Sequence, residues 1–271
     1  MLVNGLPSDC ISADDRGLSY GDGVFRTLRL RKGRPHQWSL HFAKLHHDCL
    51  AMGLDCPAAD LLLHELRQLS ATRPAAVAKI IITRGRGERG YAKPASGKHT
   101  RIVAIQPEPE FSVNKYQDGI ETAVCRIKLG HQPALAGIKH LNRLENVIAA
   151  SECRDAGLTE GFLEDGQGRL IGGTRSNLFM VQNGALFTPD LAYCGVAGVQ
   201  RQRVMAYAGE RGLKCSVTNL SVADLQAADE IFLVNSVFGL WPVRKFPGYL
   251  RTEFPLSNRI RNYLEEDETR S

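Results

Sequence analysis

The chain has 271 residues, enough for one or two domains at roughly 150 residues each. Its 34 basic and 29 acidic side chains leave a net charge of +5, and 43% of residues are hydrophobic against 23% charged. That balance is globular, excludes a disordered chain, and is weak evidence for an anionic ligand. Glycine without a triplet period excludes collagen, and no apolar run nears the roughly 20 residues of a membrane span. The residues up to Asp9 hold neither a basic cluster nor the apolar stretch of a secretory signal, so a cytoplasmic protein with no membrane partner is expected.

In chain order, Val24 to Leu30 alternates as a strand and closes at the Lys32-Gly33 turn. Trp38 to Met52 then sets Leu45, Cys49 and Met52 at helical spacing before Gly53, and Leu61 to Leu69 reads as a second helix. Val77 to Thr83 and Arg101 to Gln106 read as strands flanking a glycine- and lysine-rich excursion. Pro107 and Pro109 lack the N–H that a ladder or helix needs, so residues 109–115 are expected to link a smaller domain, 1–108, to a larger one, 116–271. Past the linker, Ile120 to Ile127 reads as one strand. His140 to Ala156 reads as a helix with Leu141, Leu144, Ile148 and Cys153 on one face. Phe162 to Ile171 is a hairpin turning at 165–168, and Leu178 to Val181 and Ala185 to Phe187 continue the strands. Gly198 opens a helix reaching about Arg211; strands at Lys214 to Val217 and Glu230 to Val234 and a helix near Leu256 to Leu264 close the chain. Strands and helices interleave without a regular beat, which predicts a two-lobed α+β fold. Seven scattered cysteines with no C-x-x-C pair predict reduced, mostly buried thiols and no zinc site.

The common dinucleotide, P-loop, zinc-protease and serine-hydrolase motifs are missing from the sequence. Lys139 stands between a predicted strand and an apolar helix face. A lysine there is either a desolvated amine able to form a Schiff base or a solvated lysine at a helix start. Gly195 to Val199 opens a helix, which is either a phosphate cradle or a plain helix start. Arg84, Arg86 and Arg89 among glycines, in a single copy without interleaved aromatics, suit a carboxylate-binding loop better than a nucleic-acid segment.

The strings "YGDGVF" at Tyr20, "RGxGxRGY" at Arg84, "LAGIKHLNRLENV" at Leu135, "SNLF" at Ser176, "CGVAGVxR" at Cys194 and "ADEIFLVNSVFGLWPV" at Ala228 carry a resemblance over essentially the whole chain. In this order they resemble the fold-type IV pyridoxal-phosphate enzymes, the D-amino-acid aminotransferase-like group. Within it, the "RGxGxRGY" and "KHLNRLE" strings resemble the lyase branch that acts on 4-amino-4-deoxychorismate. The resemblance implies pyridoxal 5'-phosphate as cofactor, a homodimer, and conversion of that small molecule to 4-aminobenzoate and pyruvate in folate synthesis. It implies that Lys139 bonds the cofactor aldehyde and that Thr27 lies near the reactive face. It also implies that Gly198, Val199, Gln200, Asn235, Ser236 and Lys44 hold the phosphate, and that Arg84, Arg89, Tyr91 and Arg101 serve the substrate carboxylates.

Three positions depart from the family's pattern. Gly172 stands five residues before Asn177, where the family usually has a Glu that keeps the pyridine nitrogen protonated. Lys44 stands for a phosphate-binding Arg, and Arg26 for a frequent Glu. An amino-acid aminotransferase of the same fold, or a cofactor-binding protein of impaired activity, are the alternatives these departures keep open.

Overall fold

The computed structural model describes residues 1–270 apart from Thr72, Glu88 and 95–97, with side chains described as far as Glu266. Glu88 and 95–97 fall in the glycine- and lysine-rich excursion, so that part of the expected carboxylate loop lies outside the described residues. The chain divides into two compact units.

Unit 1 comprises Met1–Pro109 together with Ile138–Asn142. Its strands are β1 (Leu2–Val3), β2 (Leu6–Pro7), β3 (Gly23–Arg31), β4 (Arg34–Pro35), β5 (Ala76–Thr83) and β6 (Thr100–Gln106). They form an antiparallel sheet ordered β2-β1-β6-β5-β3-β4, accompanied by helices α1 (Arg16–Tyr20), α2 (Trp38–Met52) and α3 (Ala59–Ser70). The period-two alternation explains its layers. Val24, Leu28 and Leu30 of β3, with Ala76, Ala78, Ile80 and Ile82 of β5 and Val103 of β6, are buried together with Leu45 and Cys49 of α2 and Leu62 and Leu66 of α3. The opposite face therefore presents Phe25 and Thr27 beside their strand partners Ile81 and Lys79. Gly53 stops α2 in the left-handed region, φ 62°, and its N–H satisfies the carbonyl of Leu50.

Unit 2 comprises Glu110–Gly137 and Arg143–Arg270. It holds α4 (Asn114–Gln117), β7 (Ile120–Glu121), β8 (Val124–Leu129), α5 (Leu144–Asp155), β9 (Phe162–Asp165), β10 (Leu170–Gly173), β11 (Asn177–Gln182), β12 (Ala185–Pro189), α6 (Val199–Glu210), β13 (Cys215–Thr218), α7 (Val222–Ala227), β14 (Glu230–Asn235), β15 (Gly239–Phe246), β16 (Tyr249–Leu250) and α8 (Pro255–Arg270). One sheet runs β10-β9-β8; the other runs β13-β12-β11-β14-β15-β16, with β7 beside β15. Helices α6 and α8 cover one face of the larger sheet through Val204, Tyr207, Leu256 and Ile260 against Phe179, Phe232 and Val234. Its other face buries Leu178, Met180, Ile231, Leu233 and Trp241.

The α+β class read from the sequence holds. Several element readings change. Ile120 to Ile127 is two strands in two sheets, β7 on β15 and β8 on β9. Residues expected to link the domains are packed: the Phe111 ring meets Trp241 edge-on at 5.0 Å, and 114–117 are helical. The helix expected from His140 begins only at Leu144, because 138–142 is extended and spends its backbone on β3: Phe25 N donates to Lys139 O at 2.9 Å and Leu141 N to Gly23 O at 3.0 Å. The expected apolar face also fails, since Leu144 and Ile148 are exposed while Ala149 and Cys153 are buried. All seven cysteines are free thiols. Among the described residues no helix is long and apolar enough to cross a membrane.

Candidate active site

In unit 1 the extended segment 138–142 occupies the stretch of the β3 edge beyond the short β4. Ile138 is buried in the sheet–helix core, which anchors the segment and leaves Lys139 half-buried on the Phe25 side. The Lys139 Nζ lies 4.6 Å from the centroid of the Phe25 ring, and the Lys79 Nζ lies 5.0 Å from the same ring. Two lysine nitrogens thus lie near one aromatic ring, and Thr27 pairs with Lys79 on the neighbouring strand.

Beneath that face is a buried charge cluster. Asp48 of α2, fully buried, accepts from Arg26 of β3, from Lys44 one helical turn earlier, and from the backbone N–H of Lys139 at 3.1 Å. Burial lowers Arg26 to about 10, still a cation at neutral pH. Burial, helped by the Arg26 charge, lowers Lys44 to about 8. Arg26 and Lys44 are thus both drawn to one carboxylate that the sequence reading did not single out; its signal was the Lys44–Asp48 spacing of four on α2.

The arginine-rich loop is held from within unit 1. Arg84 donates to Asp22 Oδ2 at 2.7 Å and to the carbonyls of Met52 and Gly53 at 2.8 Å each, closing the end of α2. Arg16 donates to Asp22 and to the carbonyls of Gly90 and Tyr91. Burial alone would raise the Asp22 carboxyl, but the hydrogen bonds and charges of Arg84 and Arg16 outweigh it and hold it below the usual range. Arg101 projects to the helix-covered face and is bidentate on the buried Glu65 of α3, at 2.7 to 3.0 Å. Of the four residues expected at substrate carboxylates, Arg84 and Arg101 are therefore committed to the scaffold, and Arg89 and Tyr91 are exposed.

In unit 2 the start of α6 is an uncapped set of N–H groups: Gly198 is its N-cap and supplies no side chain. The Asn177 side chain braces this start, accepting from Gly198 N at 3.1 Å and donating to Val196 O at 2.8 Å. A Cβ on Gly198 would stand 2.3 Å from Asn177 Oδ1, so a larger residue there would displace the Asn177 side chain that braces the helix start. Val199 and Gln200 follow, both buried. Asn235 turns its oxygen to the N–H groups of Val237 and Phe238, 2.8 Å each, and so shapes the loop carrying Ser236. Gly172 lies in extended β10 opposite Leu163, next to a turn held by the buried Glu160, which accepts from Thr174 N and Ser176 Oγ at 2.8 Å each.

Comparison with known proteins bears on this geometry. The family model for class IV amino-transferases matches residues 23–246. The chain belongs to the class IV amino-transferase family. Aminodeoxychorismate lyase of Vibrio harveyi is 34% identical over 243 residues, 89% of each chain. A putative branched-chain-amino-acid aminotransferase of Methanocaldococcus jannaschii is 31% identical over 244 residues, 88% of this chain and 83% of the relative. The crystal structure of 4-amino-4-deoxychorismate lyase from Pseudomonas aeruginosa superposes with a TM-score of 0.93 at 41% identity, covering 98% of both chains. Taken separately, each unit offers groups that suit part of a phosphate-bearing aldehyde: in unit 1 the Lys139 amine beside the Phe25 ring, and in unit 2 the N–H groups of a helix start without a side-chain cap.

Proposed function

We propose that the protein is a pyridoxal-phosphate-dependent lyase that converts 4-amino-4-deoxychorismate to 4-aminobenzoate and pyruvate in folate synthesis. The observation that carries the reading is the placement of Lys139 over Phe25, with its backbone fixed on one side by Asp48 and on the other by Phe25. The lyase likeness at 41% identity supports the choice of substrate. Lys139 would bond the cofactor aldehyde; the N–H groups of Gly198, Val199 and Gln200, the Ser236 hydroxyl, the Asn235 loop and Lys44 would hold the phosphate. The bound cofactor withdraws electrons from the substrate carbon that bears the amine.

The chain's own groups do the remaining work. The Lys139 amine takes the proton from the amine-bearing ring carbon, and the ring C–O bond breaks as the ring becomes aromatic. The departing enolpyruvyl group becomes pyruvate by gaining a proton at its methylene carbon from Lys139 or the Thr27 hydroxyl, so no water is consumed. Lys79, on the same sheet face as Thr27, would meet a substrate carboxylate, with Arg89 and Tyr91 as further candidates from the exposed loop.

The protein would work in the cytoplasm, where its seven free thiols stay reduced. A homodimer is supported by α5, where Leu144, Val147 and Ile148 stand exposed at helical spacing, the pattern of a face that a second copy covers. The test is to incubate the holoenzyme with 4-amino-4-deoxychorismate and quantify both products. Equal 4-aminobenzoate and pyruvate is the expected result. Amino-group transfer from an amino acid to 2-oxoglutarate without 4-aminobenzoate would favour the aminotransferase reading, to which the 31% identity with the archaeal relative gives support.

A further inference from the structure

Unit 2 contains a side-chain cluster that the lyase chemistry does not use. His131, Asp165 at the end of β9 and Cys194 bring one Nε2, one carboxylate oxygen and one Sγ to within 4.8 Å of one another. Asp165 and Cys194 are buried, and His131 opens to solvent. Asp165 uses Oδ1 on the N–H groups of Gln167 and Arg169, which fixes its orientation and leaves Oδ2 to face His131 at 2.9 Å. Arg169 reaches the same two atoms, with Nε 2.7 Å from Asp165 Oδ2 and one terminal nitrogen 3.2 Å from His131 Nε2.

These contacts conflict. If His131 Nε2 carries its proton it serves Asp165 but faces the N–H of Arg169. If it does not, it serves Arg169 but turns a lone pair on the carboxylate. A metal cation in the place of the guanidinium removes the conflict, because it accepts both lone pairs at once. We propose that His131, Asp165 and Cys194 form a zinc-class divalent metal site, with solvent as fourth ligand and Arg169 swung outward. On binding, the Cys194 S–H proton leaves to solvent and a sulfur–metal bond replaces it; no electron is transferred. A point common to three atoms so spaced lies within about 2.8 Å of each, so reaching bonds of about 2.0 to 2.3 Å takes shifts under about an ångström.

The site joins two segments that matter to the lyase. His131 leads into Gly137, and Cys194 directly precedes Gly195; Gly137 N donates to Gly195 O at 3.0 Å and Ala197 N to Gly137 O at 3.1 Å. Metal binding would pin together the irregular segments 131–137 and 194–198, which a single bridge between Gly137 and Val196 already joins.

The test is titration of reduced, metal-stripped holoenzyme with cobalt(II), followed by displacement with zinc(II). One equivalent should bind, with tetrahedral visible bands and a thiolate charge-transfer band, and zinc should raise the unfolding temperature. Cys194→Ser and His131→Ala should each weaken binding by about tenfold or more and abolish the temperature shift. His131 is exposed, so its variant tests the site even if Cys194→Ser folds poorly. Arg169→Ala should bind cobalt more tightly than the parent. Absence of stoichiometric binding, or parental binding by both ligand variants, overturns the proposal.

Discussion

Asp48 Oδ2 accepts the backbone N–H of Lys139 at 3.1 Å across 91 positions of sequence, so one buried carboxylate both pairs with Arg26 and Lys44 and holds the main chain of the proposed nucleophile. A buried anion with two cations adds little to stability as a group, but losing it strips the buried Arg26 of this counter-charge. Asp48→Asn should therefore cost about 3 to 5 kcal/mol in urea unfolding. Adding Arg26→Met should recover part of that loss by removing one orphaned charge. A double variant no more stable than Asp48→Asn would show that the carboxylate acts through the Lys139 backbone instead.

Lys139 and Lys79 share the Phe25 ring, and their roles separate experimentally. Lys139→Ala should abolish borohydride-reducible cofactor attachment, with no adduct recovered on Lys79 or on Lys128, which pairs with Glu164. Lys79→Ala should keep the attachment and raise KM for the substrate about thirtyfold, the loss of about 2 kcal/mol expected for a hydrogen bond to a charged group. Peptide mapping after reduction and steady-state kinetics on both variants decide the matter.

Lys44 gives a pH dependence with a definite sign. Burial, with Arg26 nearby, lowers its ammonium to about 8, so in the cofactor-free protein the cation is present below that pH and lost above it. Phosphate affinity should accordingly fall as pH rises from 7 to 9, by about tenfold at most per unit. Lys44→Arg, which stays charged, should flatten that fall. Fluorescence titration of cofactor into both proteins is the measurement, and parallel profiles would remove Lys44 from the phosphate site.

The sequence made the sheet of unit 1 legible because its strands alternate cleanly: Val24, Leu28 and Leu30 mark one face, and the structure buries them. It misled where an apolar residue had a different employer. Leu141 and Leu144 suggested a helix face, yet 138–142 is extended on β3, a pairing between distant segments that no local period records. The strings singled out Lys139 and placed the helix start at Gly198, since both rest on local sequence. They could not reveal that Arg101 points to Glu65, because strand register decides which face a residue takes. Lys79 escaped for the same reason: only its pairing with Thr27 places it beside Phe25.

The exposed stripe on α5 predicts assembly. Val147→Glu puts a charge at the middle of Leu144, Val147 and Ile148, a side chain already 57% exposed, so the isolated fold should be unaffected. Light scattering should show a dimer for the parent at micromolar concentration and a shift toward monomer for the variant. A parent that is monomeric and fully active would contradict the homodimer.

Gly172 sets the last expectation. This chain offers no carboxylate at 172 to keep a proton on the cofactor ring, so the proton removal proposed for Lys139 should be slowed while cofactor binding, proposed to rest on other residues, is spared. The backbone at Gly172 is extended, not left-handed, so Glu is not barred by φ. Space is the obstacle: a Cβ there would stand 2.8 Å from the carbonyl oxygen of Ser176. That carbonyl belongs to the turn that Glu160 grips through Thr174 and Ser176, so the backbone must move against a buried network, at about 1 to 3 kcal/mol. Gly172→Ala isolates this steric cost, since it adds the Cβ without the carboxylate. Gly172→Glu should lose similar stability yet raise kcat, by about a hundredfold if the missing partner costs about 3 kcal/mol. Paired measurement of urea midpoint, cofactor dissociation and 4-aminobenzoate release on the three proteins separates the terms. Equal turnover in Gly172→Glu and the parent, with the variant folded, would show that another group protonates the ring or that proton removal does not limit the rate.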